Sequence, residues 1–141
     1  MQAQRMQLDF QSQLAALDGD EPSTFEILAI TSGDGNGWNF TARALQASLA
    51  LWEGAECFVD HAWQGHSLRD LAGVCFSPAW DEAAQGIRLR IRPGGPSAAL
   101  LTGLGEMMLA PEGVKPRVGF SADILFSANG KEVERIEKVF S

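Results

Sequence analysis

The run Arg117–Ser127 constrains this chain more than any other part of it. Val118, Phe120, Ala122, Ile124 and Phe126 occupy alternate positions, with Arg117, Gly119, Ser121, Asp123, Leu125 and Ser127 between them. Successive side chains of a strand point to opposite faces, so this period of two specifies a β-strand with one face in a core. Ala128-Asn129-Gly130 follows at once, and Asn-Gly favours the positive φ angles of a tight hairpin turn. Lys131–Ser141 is therefore expected to return as a second strand.

The same reading finds further strands upstream. Ile87, Leu89 and Ile91 alternate with Arg88, Arg90 and Arg92 across Gly86–Arg92. The run Phe25–Thr31 is apolar on both faces, as in the middle of a sheet. Ala55–His61 reads as a strand with Cys57, Val59 and His61 on one face, and Leu71–Ser77 as another. Two stretches carry helical spacing instead. Thr41 is a suitable N-cap for Ala42, Leu45, Leu49 and Trp52, closed by Gly54. Ser97 can cap a second helix whose stripe, Leu100, Leu101, Leu104, Met107 and Met108, is expected to be buried in the core. Gly33–Gly37, Ala62–Ser67, Pro93–Pro96 and Pro111–Pro116 read as loops and turns. About six strands and two or three helices, with neighbouring strands joined by turns, imply an α+β fold built on a mostly antiparallel sheet or barrel.

Residues 1–24 differ from the rest. They hold one Arg and four acidic residues, and Met6, Phe10 and Leu14 recur every four positions before Leu17. This predicts an N-terminal arm with a helical pattern, broken at Asp18–Pro22, ahead of a domain spanning 25–141. At 141 residues, 45% of them hydrophobic and 21% charged, the chain matches one ordinary globular domain. A formal charge of −7 argues against a nucleic-acid or anionic-membrane partner. No apolar run approaches the ~20 residues of a membrane span. The start lacks the apolar core of a secretion signal, and two cysteines are too few for a disulfide framework. An intracellular setting is expected.

Chemistry could sit in few places. His61 ends a strand and His66 lies in the following loop; a histidine at such a spot is more often an ordinary surface residue than a base. A strand serine is by default solvent-facing. Ser121 stands out, mid-strand on the polar face, because Gly119 beside it permits close approach of a ligand backbone and Asp123 shares its face. Serine becomes a nucleophile only when a base takes its proton, so a His–Ser pair is the minimum constellation. Cys57, His61, His66 and Cys75 could in principle bind zinc, but their spacing does not match structural zinc sites. The Gly33–Gly37 loop lacks the features of a phosphate-binding loop, and the row Arg88, Arg90 and Arg92 reads as a solvated face.

Taken in order, several steps resemble a known family: Val59-Asp60-His61, then Arg69-Asp70-Leu71-Ala72-Gly73, then Gly119-Phe120-Ser121-Ala122-Asp123 and a closing strand from Val133. Residues 25–141 resemble the prohead proteases of tailed bacteriophages, which mature the capsid and are distantly similar to herpesvirus assemblins. The resemblance implies an assemblin-like fold and a serine endopeptidase with Ser121 as nucleophile and His61 as base. Gly119 and Arg117 are the implied oxyanion or substrate-binding groups. It implies no cofactor and no metal.

The third catalytic member stays open among Asp123, Glu134, Glu137 and His66, because assemblins use a second histidine after the serine and none follows Ser121 here. The implied substrates are the phage scaffolding protein and the major capsid protein, with self-cleavage and a homo-oligomeric state. The implied setting is the host cytoplasm inside the assembling prohead, or a bacterium carrying a prophage. The family's closing strand usually runs on beyond the equivalent of Ser141, so a C-terminal truncation is expected. The competing expectation is a protease-like but non-catalytic capsid assembly or scaffold protein.

Overall fold

A computed structural model of the chain describes residues 2–9, 14–17, 24–59, 67–115 and 119–140. In chain order these form β1 (Gln2–Asp9), β2 (Leu14–Leu17), β3 (Phe25–Thr31), β4 (Gly33–Gly35), β5 (Trp38–Phe40) and helix α1 (Ala42–Ala47). A 3₁₀ turn (Leu49–Trp52), β6 (Glu56–Phe58), a second 3₁₀ turn (Leu68–Asp70), β7 (Leu71–Asp81) and β8 (Gly86–Pro93) follow. Helix α2 (Ala98–Leu109), β9 (Ser121–Asn129) and β10 (Glu132–Val139) complete the order. The strands make two five-stranded sheets, β1-β9-β10-β5-β4 and β2-β3-β8-β7-β6. Neighbours pair antiparallel except β10 with β5, which run parallel. The α+β class with largely antiparallel sheets is as expected, with more strands among the described residues than the six anticipated.

The alternation in β8 places Ile87, Leu89 and Ile91 inward and the three arginines outward. They face Ala122, Ile124 and Phe126 of β9 across one contiguous core that also holds Phe40, Leu45, Trp52, Val133 and Ile136. Trp38 and Phe40 both meet the Phe126 ring edge-on, at centroid distances of 5.1 and 5.6 Å. Such edge-to-face pairs add roughly 0.5–1.5 kcal/mol beyond area burial.

Several local expectations change. The arm is not helical where it is described: β1 pairs along β9 from Gln2↔Ala128 to Asp9↔Ser121, and β2 pairs with β3. Met6, Leu8 and Phe10 also alternate at period two, and strand pairing satisfies the backbone groups of two sheet edges that a helix would leave open. Gly33–Gly37 is not a plain loop but part of a hairpin. Asn36 and Gly37 take φ of 50° and 82° between the paired residues Gly35 and Trp38, as a type I′ Asn-Gly turn requires. At the other Asn-Gly the hairpin is present, one residue displaced: Asn129 pairs with Glu132, and Gly130, with φ 64°, and Lys131 make the turn.

Thr41 caps α1 as expected, its Oγ1 accepting from the Ala44 N–H at 3.1 Å. The helix then breaks at Ser48, whose hydroxyl donates back to the Leu45 carbonyl at 2.7 Å, a bond known to bend helices. Strand β7 continues past Ser77, because Ser77 adopts φ 53° at a bulge opposite β8 and the ladder resumes at Ala79.

Helix α2 corrects the expected buried stripe. Leu101 and Gly105 are its buried residues, whereas Leu100 and Met107 are about half exposed. The contact line runs through Gly105, where the helix lies against the Phe25 ring, and that rotates the leucine–methionine stripe partly out of the core. Ser97 precedes the helix without capping it; its hydroxyl donates instead to the Arg69 carbonyl at 2.8 Å. Lys115 closes the far end, its Nζ donating to the carbonyls of Met107 and Ala110. Among the described residues no helix is long and apolar enough to cross a membrane.

Candidate functional site

Between the two sheets lies a cleft of about 260 Å³. One wall comes from the second sheet: Ile27 and Ala29 of β3, Leu89 and Ile91 of β8, Cys75 of β7, and β6 from Glu56 to Phe58. Gly119, Phe120, Ser121 and Ala122 form the other wall, and Trp52 and Ala55 close one end. Glu56 and Gly119 are exposed and mark the rim, while Ser121 is half-buried between rim and interior.

Local hydrogen bonding explains why these residues converge. Gly54 turns the chain with φ 83°, its N–H donates to the Cys75 carbonyl at 2.9 Å, and the Cys75 N–H returns to the Ala55 carbonyl at 2.7 Å. β6 is thereby fixed at the sheet edge, and the Val59 N–H, donating to the Asp70 carbonyl at 2.9 Å, holds the chain just beyond it. Trp52 is oriented by its indole N–H, which donates to the buried Ser48 hydroxyl at 3.0 Å. Gly73 stands opposite Cys57 in β7, where a Cβ would fall 2.8 Å from the Arg92 carbonyl oxygen; only glycine lets β7 and β8 lie this close beneath the cleft.

The lining is weakly polar. Burial pushes the Cys57 thiol up to about 11. It pushes Cys75 up to about 12, with the neighbouring Cys57 and Glu53 adding to the effect. Both are therefore neutral thiols near pH 7 and poor nucleophiles. Among the described lining residues Glu56 is the one carboxylate. A hydroxyl in such a setting can attack a carbonyl carbon only when a base reaches it.

Ser121 occupies the first position of β9 rather than the middle of a longer strand, and it faces the cleft instead of open solvent. Gly119 lines the same cleft. His61, His66 and Arg117 lie outside the described residues; Phe58, three positions before His61 in the sequence, lines the cleft with Ser121. Asp123 is buried in β9, two residues from Ser121, and its carbonyl accepts the Phe140 N–H at 2.8 Å.

The register separates the two glutamates from Ser121. Glu134 follows Val133, which pairs with Ala128 near the far end of β9, roughly 20 Å along the strand at ~3.3 Å per residue. Glu137 lies beside Leu125 and Phe126, on the order of 15 Å away, and Arg135 holds its carboxylate at 2.8 Å. Neither glutamate is brought to Ser121.

The lining residues Trp52, Ala55, Phe58 and Ile91 carry no sequence mark as site residues. Each has the apolar, inward signature of core, and a cleft between sheets is built from that same signature. Among the described residues no group of three or more His, Cys, Asp or Glu could hold a metal ion. Comparison with family models, curated proteins and solved structures found no match.

Proposed function

We propose that the chain is a serine endopeptidase of the prohead-protease kind, with an assemblin-like catalytic domain, that cleaves phage scaffolding or major capsid protein during prohead maturation. The observation that carries this reading is that Ser121 lines a cleft in common with Phe58, on the segment that leads in sequence to His61. In the proposed reaction Ser121 Oγ attacks the scissile carbonyl while His61 accepts its proton. The tetrahedral intermediate collapses to an acyl-enzyme as His61 returns the proton to the leaving amine. Water, deprotonated by the same histidine, then releases the acid product. Backbone N–H groups near Gly119, with Arg117, are the proposed oxyanion donors; loss of one such donor typically costs about 10²–10³ in rate.

The test is co-expression with the scaffold or capsid protein beside treatment with a fluorophosphonate probe. Cleavage and labelling by the native chain, both lost in Ser121→Ala and His61→Ala variants of unchanged thermal stability, would support the assignment. A folded native chain that neither labels nor cleaves would instead identify a non-catalytic assembly protein.

A further inference from the structure

We propose that the inter-sheet cleft beside Ser121 is a side-chain subsite that accepts one uncharged, apolar residue of a peptide, of leucine, methionine or phenylalanine size, flanking the bond attacked. This rests on the endopeptidase reading of Ser121 and adds the class of sequence it cuts.

Size is the first argument. At about 260 Å³ the cleft falls below the roughly 300–1,000 Å³ of pockets that enclose whole drug-sized ligands, and suits one large side chain. Two of its lining residues are small, Ala29 on β3 and Ala55 before β6, both buried. A larger side chain at either position would occupy the volume itself.

Chemistry is the second argument. Leu89 and Ile91 give the floor apolar character, and the thiols of Cys57 and Cys75 are neutral there. A Lys, Arg, Asp or Glu side chain placed among them would lose hydration, and the one carboxylate among the described lining residues, Glu56, stands at the exposed rim rather than inside. The exposed carboxylate of Glu56 at the rim further disfavours an acidic residue entering past it. Burying a leucine-sized side chain, by contrast, is favourable.

The experiment has two arms. In the first, the full chain digests a library of proteome-derived peptides and the new termini are sequenced. The expected profile has one position beside the cut enriched in Leu, Met, Ile or Phe and depleted of charged residues. Ala29→Leu, or Ala55→Leu should the first variant fail to fold by thermal melt, is expected to lower the preference for Leu over Ala there at least ~10-fold. A profile with no apolar position, or an unchanged preference in a folded filled variant, would overturn the subsite while leaving the peptidase reading intact.

In the second arm the Ser121→Ala chain is titrated with N-acetyl tripeptide amides carrying a central Leu, Ala or Asp. Trp52 fluorescence is the readout and Trp52→Phe the control. Tighter binding of the Leu peptide with no cleavage by the native chain would support the subsite and sink the peptidase. Equal response to all three peptides would sink the subsite.

Discussion

Trp52 donates its indole N–H to Ser48 Oγ at 3.0 Å, and the same hydroxyl donates to the Leu45 carbonyl at 2.7 Å. Both residues are 2% exposed, so neither end of this chain of bonds can turn to water. Ser48→Ala removes the acceptor and leaves a buried N–H unsatisfied, at a cost of about 1–3 kcal/mol. Chemical denaturation should show that loss, with a shift in tryptophan emission that Trp52→Phe abolishes. An unchanged midpoint would mean that the indole finds another acceptor.

The packing of α2 on β3 depends on a missing side chain. A Cβ built at Gly105 would lie 2.3 Å from Phe25 Cε1 and Cζ, and Phe25 is itself 1% exposed. Glycine-to-alanine inside an exposed helix stabilises by ~1 kcal/mol. Here overpacking reverses the sign, and Gly105→Ala is expected to destabilise by about 1–3 kcal/mol. Pairing it with Phe25→Leu should recover part of the loss, since the smaller side chain vacates the space; strictly additive effects would show that the two residues are not coupled.

These two contacts illustrate how far the sequence could be read. Short-range patterns were legible: the alternation of β8 and β9, the Thr41 cap and the hairpin after Asn129 all rest on neighbours in the chain. What depended on remote partners was not. The Met6–Leu17 stretch carries both a four-residue and a two-residue period, and the open edges of β9 and β3 decide between them. Helix α2 exposes Leu100 and Met107 because Gly105 must face Phe25, 80 positions away in sequence. Ser121 was legible as a candidate, but its cleft was not, because Ile91, Leu89 and Trp52 look the same lining a cleft as filling a core.

The two thiols give a pH dependence of known sign. Their folded values, about 11 and about 12 against an ordinary 9.0, mean that the unfolded chain loses its thiol protons first. Their stabilising contribution is complete below pH 9 and declines as pH rises through 9 towards 11–12, by up to ~1.4 kcal/mol per unit for each thiol. The sequence has no tyrosine, so no phenol titrates in that window. Denaturation measured from pH 8 to 11 should show the decline, and the Cys57→Ser, Cys75→Ala double variant should flatten it. Alkylation of the folded chain at pH 7 should run at least ~100-fold slower than that of a free thiol; a comparable rate would contradict neutral, buried thiols.

Asp81 sets an acid limit at the β7–β8 turn. The Ala84 N–H, donated to Oδ1 at 2.9 Å, and the Arg88 guanidinium, 2.5 Å from Oδ2, hold its carboxyl below the usual carboxylate range. A lowered folded value contributes stability above the unfolded pKa and loses it as pH falls below about 3.8. Asp81→Asn should therefore lower the melting temperature near pH 7, and the difference from the native chain should shrink as pH falls below about 3.8. A constant difference across that range would point to lost hydrogen-bond geometry rather than lost charge.

The strand register sorts the carboxylates open to a catalytic role. Under the proposed mechanism a third group must orient the base within a few ångströms of Ser121, and the β9–β10 pairing puts Glu134 roughly 20 Å along the strand from it. Glu137 is both distant and paired with Arg135. Among the three candidates Asp123, Glu134 and Glu137, Asp123, buried two positions along the same strand, is the one that stays near. Glu134→Gln and Glu137→Gln should leave kcat within about twofold, while Asp123→Asn should lower it by up to ~10⁴, the loss expected when a base is held in the wrong tautomer. Because Asp123 is buried, its variant is informative only with a native melting curve and an altered pH–rate profile, which a merely structural role would leave unmoved. A large kcat loss in Glu134→Gln with Asp123→Asn unaffected would contradict the register as described and move the search for the third group to the far end of β9.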